Sequence, residues 1–268
     1  LMFSTFKRSF TFGEGCIVLQ SIVLFVAHAI TSLYYLNDDT TTIVGSFTVI
    51  AKAALLSLAF IFVVPAIPGF RWTNYPAFFY ASGLTVFASI TLPLLCWMLR
   101  RNPLLWLTSY IVFSTRALML MFTWIYLVIS ALAIVVRKFN TSAKATTSER
   151  KFFHGLVSVV ITSGIALDVE FTYLASLLVL GIFLLLEYIR VCSIKPISTV
   201  LDEAFVRFID EKDQGTLILT NIYLLVGTFL PLWLACDLAS TNKLILLSGV
   251  LSVGIGDSAA SIIGSRYG

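Results

Sequence analysis

Long apolar runs separated by short polar segments follow one another along nearly the whole chain. A run of roughly 20 apolar residues is long enough to cross the hydrocarbon layer of a membrane as an α-helix. We therefore expect an all-α fold, a polytopic transmembrane helical bundle with about eight spans. The predicted spans are Cys16–Tyr35, Ile43–Ile67, Pro76–Leu99, Leu104–Val136, Phe152–Leu167, Phe171–Ile189, Thr216–Cys236 and Leu244–Gly264.

The run Leu104–Val136 is too long for one simple span. It fits either one span preceded by an interfacial segment or two tight spans, and Arg116 in its middle favours the first. Only Asp168, Val169 and Glu170 separate the fifth and sixth runs, which indicates a helical hairpin.

Two polar stretches predict loops, Arg137–Lys151 and Arg190–Gly215. The first carries five basic residues against one acid, so the positive-inside rule assigns it to the cytoplasmic side. Alternation then brings the second stretch and Arg266 to the same side. Asp168 and Glu170 fall on the opposite side.

Composition supports a membrane protein and excludes two other classes. The chain is 59% hydrophobic and 12% charged, which is too apolar for an ordinary soluble domain. A net charge of +4 without a basic stripe argues against a nucleic-acid-binding protein. The four cysteines lack metal-site spacing and predict neither a zinc site nor a disulfide framework.

Asp257 stands in a run of glycines, small residues and aliphatics, with no partner charge within four residues. A carboxylate at membrane depth costs about 2.5–3.5 kcal/mol and is a functional-site hypothesis by default. Gly254 and Gly256 leave room for a ligand, or else serve close helix packing, as Gly264 could. The motif would also suit a helix beginning at Asp257 and Ser258, with free amides for an anion. One carboxylate with phosphate oxygens can suffice for Mg²⁺.

Other polar residues fall on the same predicted side. Each group has a plainer explanation: an interfacial anchor and histidine, an ordinary i,i+3 ion pair, and a solvated charge run. The three groups are Arg150, Lys151 and His154; Glu187 and Arg190; and Asp210, Lys212 and Asp213.

Several of these segments, in this order, resemble the dolichol kinase family. The Gly-Asp-Ser motif alone would indicate only the wider group of polyprenol kinases, phytol kinases and CDP-diacylglycerol synthases. The acidic segment DEKDQG, joined to LILTNIYLLVG, narrows the resemblance from this wider group to the dolichol kinase family. We therefore divide the chain into weakly characterised N-terminal spans, 1–148, and a dolichol-kinase-like catalytic region, 149–268. The segments are Glu149–Val157, Leu186–Arg190, Asp210–Gly227, Leu230–Trp233 and Gly249–Gly268.

The resemblance implies a CTP-dependent lipid kinase that phosphorylates the terminal hydroxyl of dolichol at the endoplasmic reticulum membrane, with its active site facing the cytoplasm. Asp257 would bind Mg²⁺ and the triphosphate, and Asp210 and Asp213 would form a second carboxylate group. Gly254, Gly256 and Ser258 would shape the approach of the nucleotide to Asp257. Lys212, Arg150 and Lys151 would neutralise phosphate charge. His154, Glu187 and Arg190 would support the site.

Alternatives remain open at this point. A relative of the same chemistry could phosphorylate another polyprenol, phytol or diacylglycerol, or transfer a cytidylyl group to phosphatidate. A transporter or channel could use Asp257 to line an ion path. Family members continue past the motif with a lysine-rich loop and further helices, so we expect this chain to be truncated and to hold only part of the nucleotide site.

Overall fold

A computed structural model describes residues 42–63, 74–141, 147–208, 217–235, 238 and 240–267. All regular structure in these ranges is helical, which confirms the all-α fold. Two π-helical segments, Phe87–Thr91 and Val250–Gly256, interrupt the α-helices. The α-helices are α1 (Ile43–Val63), α2 (Pro76–Val86), α3 (Leu92–Leu99), α4 (Pro103–Phe113), α5 (Thr115–Thr141), α6 (Thr147–Leu167), α7 (Val169–Val191), α8 (Ile197–Phe208), α9 (Thr220–Leu234), α10 (Lys243–Leu246) and α11 (Asp257–Tyr267).

Three helical stretches in the described ranges are long and apolar enough to cross a membrane: Pro76–Leu99, Thr115–Arg137 and Val169–Val191. They confirm an α-helical membrane protein. The predicted number of about eight spans is not confirmed, and the first predicted span, Cys16–Tyr35, lies outside the described residues. Three further apolar helices are shorter: Pro103–Phe113, Lys151–Leu167 and Thr220–Leu234.

The long apolar run after Leu104 is divided at Ser114 into short α4 and long α5. The Ser114 hydroxyl accepts a hydrogen bond from the Ala117 backbone N–H at 3.3 Å and so caps α5. This division agrees with one span preceded by a shorter segment. The interfacial position of α4 stays a prediction.

Both predicted loops contain more helix than expected. Helix α5 continues to Thr141 and α6 already begins at Thr147, because lysine, arginine and glutamate are good helix formers and do not end a helix by themselves. The second stretch contains α8, in which half-buried Leu201 packs towards the apolar cluster of Phe79, Ile189 and Ile194. Exposed Asp202 and Glu203 follow Leu201 on α8, and such an amphipathic pattern forms a surface helix.

Asp168 alone interrupts the predicted hairpin. Its Oδ1 accepts from the Phe171 backbone N–H at 3.0 Å, and its Oδ2 accepts from the Tyr110 hydroxyl at 2.7 Å. A carboxylate in this position caps the start of α7 and satisfies an otherwise unpaired amide. The hydrogen bonds of the Asp168 side chain therefore suffice to separate α6 from α7.

The chain forms two compact units. The first consists of Leu1–Pro103, Leu177–Glu203 and Ile209–Thr220. Within it, α1 packs against α3 and the first π-helical segment. The hydroxyls of Ser57 and Thr91 lie 2.6 Å apart across this contact, and Arg101 donates to the Ser46 hydroxyl at 2.6 Å.

The second unit consists of Leu104–Ser176, Ala204–Phe208 and Asn221–Gly268. Helix α6 packs against α5 and against the second π-helical segment. The Trp124 indole N–H donates to the Val160 carbonyl of α6 at 3.2 Å. Small residues allow close backbone approach in this unit, as is usual for helices in lipid.

We expect Gly249→Ala to destabilise the protein. A Cβ at this position would come within 2.5 Å of the backbone carbonyl oxygens of Gly227 and Thr228, which cannot turn away as a side chain could. The expected loss is about 1–3 kcal/mol in the free energy of unfolding, measured by thermal unfolding in detergent micelles. Gly264→Ala is the control, since nothing lies within 4 Å of its Cβ position. Equal stability of the two variants would contradict the close contact.

Candidate functional site

The backbone at Asp257 differs from the sequence expectation. A helix does not begin at the motif, because the π-helical segment runs directly into α11. The Asp257 N–H donates to the carbonyl of Ser252, five residues earlier, and its φ of −63° and ψ of −38° are helical. The expectation of a free backbone N–H at Asp257, available to an anion, is therefore wrong. A π-helical segment inside a helix is nevertheless frequent at functional sites.

Asp257 has a cationic partner on α6. The Lys151 Nζ lies 2.6 Å from Asp257 Oδ2, and both atoms are correctly placed for a charge-assisted hydrogen bond. The Lys151 side chain is 17% exposed and that of Asp257 is 55% exposed. The two residues are 106 positions apart, so the local sequence could not reveal their contact.

His154 lies three residues after Lys151 on α6 and faces the same carboxylate. Its Nδ1 is 3.6 Å from Asp257 Oδ2, beyond ordinary hydrogen-bond distance. This Nδ1 is buried and has no hydrogen-bond partner among the described residues. A buried polar atom without a partner costs about 1–3 kcal/mol, so a further polar group that reached His154 would be stabilised there.

Gly254 lets α6 come close to the motif. It is buried, and a Cβ added there would collide with the Ser158 hydroxyl of α6. Ser258 donates to the Gly254 carbonyl at 2.7 Å, whereas Gly256 is exposed. The packing role of Gly254 accounts for its lack of a side chain. The roles predicted for Gly254, Gly256 and Ser258 in nucleotide binding stay predictions.

Glu187 and Arg190 form the expected i,i+3 pair in the first unit. Arg190 Nε donates to Glu187 Oε2 at 2.9 Å and Nη2 donates to Oε1 at 2.7 Å. Glu187 Oε1 also accepts from the Ile218 backbone N–H at 2.6 Å, and Arg190 Nη1 lies 3.5 Å from Asp202 Oδ1. The sequence predicted the pair but not its two further partners.

The pair is more than a surface contact. The side chains of Glu187 and Arg190 are 7% and 12% exposed, so loss of either charge would leave the other poorly solvated. The pair also joins α7 to Asp202 on α8 and to Ile218 just before α9. In the sequence, these two residues stand on either side of Asp210–Gly215.

The full predicted convergence stays a prediction. Asp210, Lys212 and Asp213 lie outside the described residues, as does the side chain of Arg150. The structure brings together Lys151, His154 and Asp257 in the second unit. Glu187 and Arg190 are paired within the first.

The donor set at Asp257 agrees with a sparsely coordinated hard cation. No group of three His, Cys, Asp or Glu side chains suited to a metal occurs within the described ranges. Mg²⁺ does not require one, because it binds through one or two carboxylates together with water and substrate phosphates. The half-exposed carboxylate of Asp257 could supply the one protein oxygen of such a site, and Lys151 lies next to it.

These observations define an α-helical integral membrane protein with an acid–base contact beside a π-helical segment. A family model described as dolichol kinase matches residues 1–247. Mouse dolichol kinase is 33% identical over 275 residues, which are 97% of this chain and 51% of the mouse protein. Human dolichol kinase is 34% identical, with the same coverage. Dolichol kinase sec59 of Schizosaccharomyces pombe is 30% identical over 98% of this chain and 54% of its own length.

The chain belongs to the dolichol kinase family, as the resemblance predicted. It spans about half the length of the curated relatives it matches. The match to the family begins at residue 1 and therefore includes the segment 1–148, for which the sequence motifs gave no specific resemblance. No solved structure matches the chain.

We expect Glu187→Gln to destabilise the protein by about 1–3 kcal/mol, since it removes the charge that Arg190 needs while preserving side-chain shape. Thermal unfolding in detergent micelles measures the loss. Glu203→Gln, an exposed acid of α8, is the matched control and should change stability by less than about 0.5 kcal/mol. Indistinguishable unfolding of the two variants would contradict a structural role for the buried pair.

Proposed function

We propose that the complete protein is a CTP-dependent lipid kinase that phosphorylates the terminal hydroxyl of dolichol. Its product would be dolichyl phosphate for protein glycosylation. Membership of the dolichol kinase family supports the class of reaction. The proposed location is the endoplasmic reticulum membrane, with the site open to the cytoplasm, because the positive-inside rule assigns the basic segment 137–151, which ends at Lys151 of the site, to the cytoplasmic side.

The contact between Lys151 and Asp257 carries the proposal. It joins a cation near the start of apolar helix α6 to the half-exposed carboxylate of the motif. A polyisoprenoid stays in lipid and a nucleotide stays in water, so phosphate transfer between them needs charged groups at the end of a span. Lys151 and Asp257 have this character, and His154 adds a further polar atom beside them.

The proposed reaction is an in-line displacement at phosphorus. The dolichol hydroxyl oxygen forms a bond to the γ-phosphorus of CTP, while the bond from that phosphorus to the β–γ bridging oxygen breaks. CDP leaves with the electron pair, and the hydroxyl proton passes to a carboxylate. Such transfers depend chiefly on positioning and on neutralisation of the phosphate charge.

The residues divide these tasks. Asp257 would hold Mg²⁺, whose charge would stabilise the triphosphate when bound, and Gly254, Gly256 and Ser258 would shape the approach. Asp210 or Asp213 would orient the hydroxyl or accept its proton. The basic side chains would neutralise phosphate oxygens: Lys151, Arg150 and Lys212.

The other residues would act as positioning groups. His154 would support the Lys151–Asp257 contact from one turn along α6. Glu187 and Arg190 would hold Ile218 and Asp202, which flank the acidic segment in the sequence. None of the three needs to touch substrate for this purpose.

Incubation of membranes containing the complete protein with γ-labelled CTP and dolichol tests the proposal. We expect label in the lipid fraction, and we expect Asp257→Asn to reduce its rate of appearance by about 100-fold or more, as for loss of a charge-stabilising group. Glu203→Gln serves as the matched control and should retain the wild-type rate.

Three results would contradict the account. Release of the label as pyrophosphate, with the cytidylyl group on a lipid, would replace the kinase with a cytidylyltransferase. Full activity of Asp257→Asn would reject the role of that carboxylate. Label on phytol or diacylglycerol but not on dolichol would reject the acceptor.

A further inference from the structure

Lys151 contacts the carboxylate that the proposed function assigns to a divalent cation. Its Nζ lies 2.6 Å from Asp257 Oδ2, within contact distance for an ammonium and a carboxylate. A metal ion bound to a carboxylate oxygen sits at about 2.0–2.1 Å for Mg²⁺, and would repel an ammonium in direct contact with the same oxygen. The two cations therefore compete for Asp257 Oδ2.

The burial of the two side chains indicates which group can change partner. The Asp257 side chain is 55% exposed and can meet a ligand from solvent, whereas that of Lys151 is only 17% exposed. An ammonium with so little access to water needs an anion beside it. Lysine has a flexible four-carbon stem, so its ammonium can move to an arriving phosphate without a change in α6.

The observed pairing of Lys151 with Asp257 leaves a buried nitrogen of His154 without a hydrogen bond among the described residues. Its Nδ1 is buried, lies 3.6 Å from Asp257 Oδ2 and makes no hydrogen bond within the part of the chain that the structure describes. An arrangement with a further polar or anionic group next to Lys151 and His154 could satisfy this atom. Direct pairing of Lys151 with Asp257 is thus suited to the state without ligand.

We propose that Lys151 is an exchangeable counter-ion of Asp257. Without nucleotide, its ammonium neutralises the carboxylate. When a divalent cation arrives with a nucleotide triphosphate, the cation takes the carboxylate and the Lys151 ammonium moves to a phosphate oxygen. The identity of this ligand rests on the proposed function, but competition at Asp257 can be measured without dolichol and without turnover.

The exchange predicts effects of opposite sign for one substitution. Removing the ammonium takes away a cation that competes for Asp257 Oδ2, so the nucleotide-free protein should bind a divalent cation more tightly. The same change removes a phosphate partner, so CTP should bind more weakly. A merely structural role for Lys151 would instead weaken both, because loss of the contact would disorder the carboxylate.

Titration of the complete protein in lipid nanodiscs with Mn²⁺, followed by the electron paramagnetic resonance signal of free Mn²⁺, tests this at fixed pH and ionic strength. For Lys151→Met without nucleotide we expect a Kd for Mn²⁺ about tenfold lower than in the wild type, equivalent to about 1.4 kcal/mol. We expect the Kd for CTP, measured by equilibrium dialysis, to rise by about tenfold. Asp257→Asn should eliminate the affected Mn²⁺ site.

Lys243→Met is the matched control. It removes one lysine charge from the same unit, but the Lys243 Nζ donates to the Ala166 carbonyl and to no carboxylate among the described residues. Its affinity for Mn²⁺ should remain within about twofold of the wild type. Lys151→Arg should restore wild-type Mn²⁺ affinity, because it returns the positive charge. If Lys151→Met does not fold, Lys151→Gln provides the same comparison.

Unchanged or weaker Mn²⁺ binding by a folded Lys151→Met or Lys151→Gln variant would overturn the exchange, even if the wild type phosphorylates dolichol. An equal gain in Lys243→Met would also overturn it, since the effect would then reflect net charge alone. Tighter Mn²⁺ binding specific to Lys151, in a protein that transfers no phosphate to dolichol, would retain the competition at Asp257 and reject the proposed function.

Discussion

The acid–base contact between α6 and the start of α11 constrains this part of the second unit. Asp257 stands in a run of small and apolar residues, and Lys151 on another helix pairs with its carboxylate at 2.6 Å. The contact requires α6 to lie close to the second π-helical segment, and this closeness depends on Gly254 beside Ser158. The ion pair therefore depends on the close packing that the small residue at position 254 allows. A larger residue at Gly254 would affect both.

The first unit also contains a carboxylate paired with a basic side chain, but this carboxylate is buried. Glu187 is almost fully buried, and Arg190 and the Ile218 backbone N–H together occupy its oxygens. Here the charges are satisfied within the protein, whereas Asp257 remains half-exposed. This contrast is why we assign positioning to Glu187 and ligand binding to Asp257. A carboxylate that must accept a ligand needs solvent access, and one that holds the backbone does not.

The sequence predicted features that depend on local pattern. The apolar runs indicated helices near Pro76–Leu99 and Val169–Val191, and the spacing of Glu187 and Arg190 indicated their pair. Features that depend on tertiary contacts or exact hydrogen-bond register were missed. The partner of Asp257 lies 106 residues away, and the Val250–Gly256 segment is π-helical, so the expected helix start at Asp257 was wrong. Charged residues at 137–151 also obscured the continuing helices.

The central claim is that Asp257 and Lys151 are the point at which a nucleotide triphosphate meets the membrane helices. An experimental structure of the complete protein with Mg²⁺ and a β,γ-methylene analogue of CTP tests it most directly. The account predicts the Asp257 carboxylate at the cation and the Lys151 ammonium at a phosphate oxygen. A triphosphate bound elsewhere, with the Lys151–Asp257 ion pair intact, would contradict it.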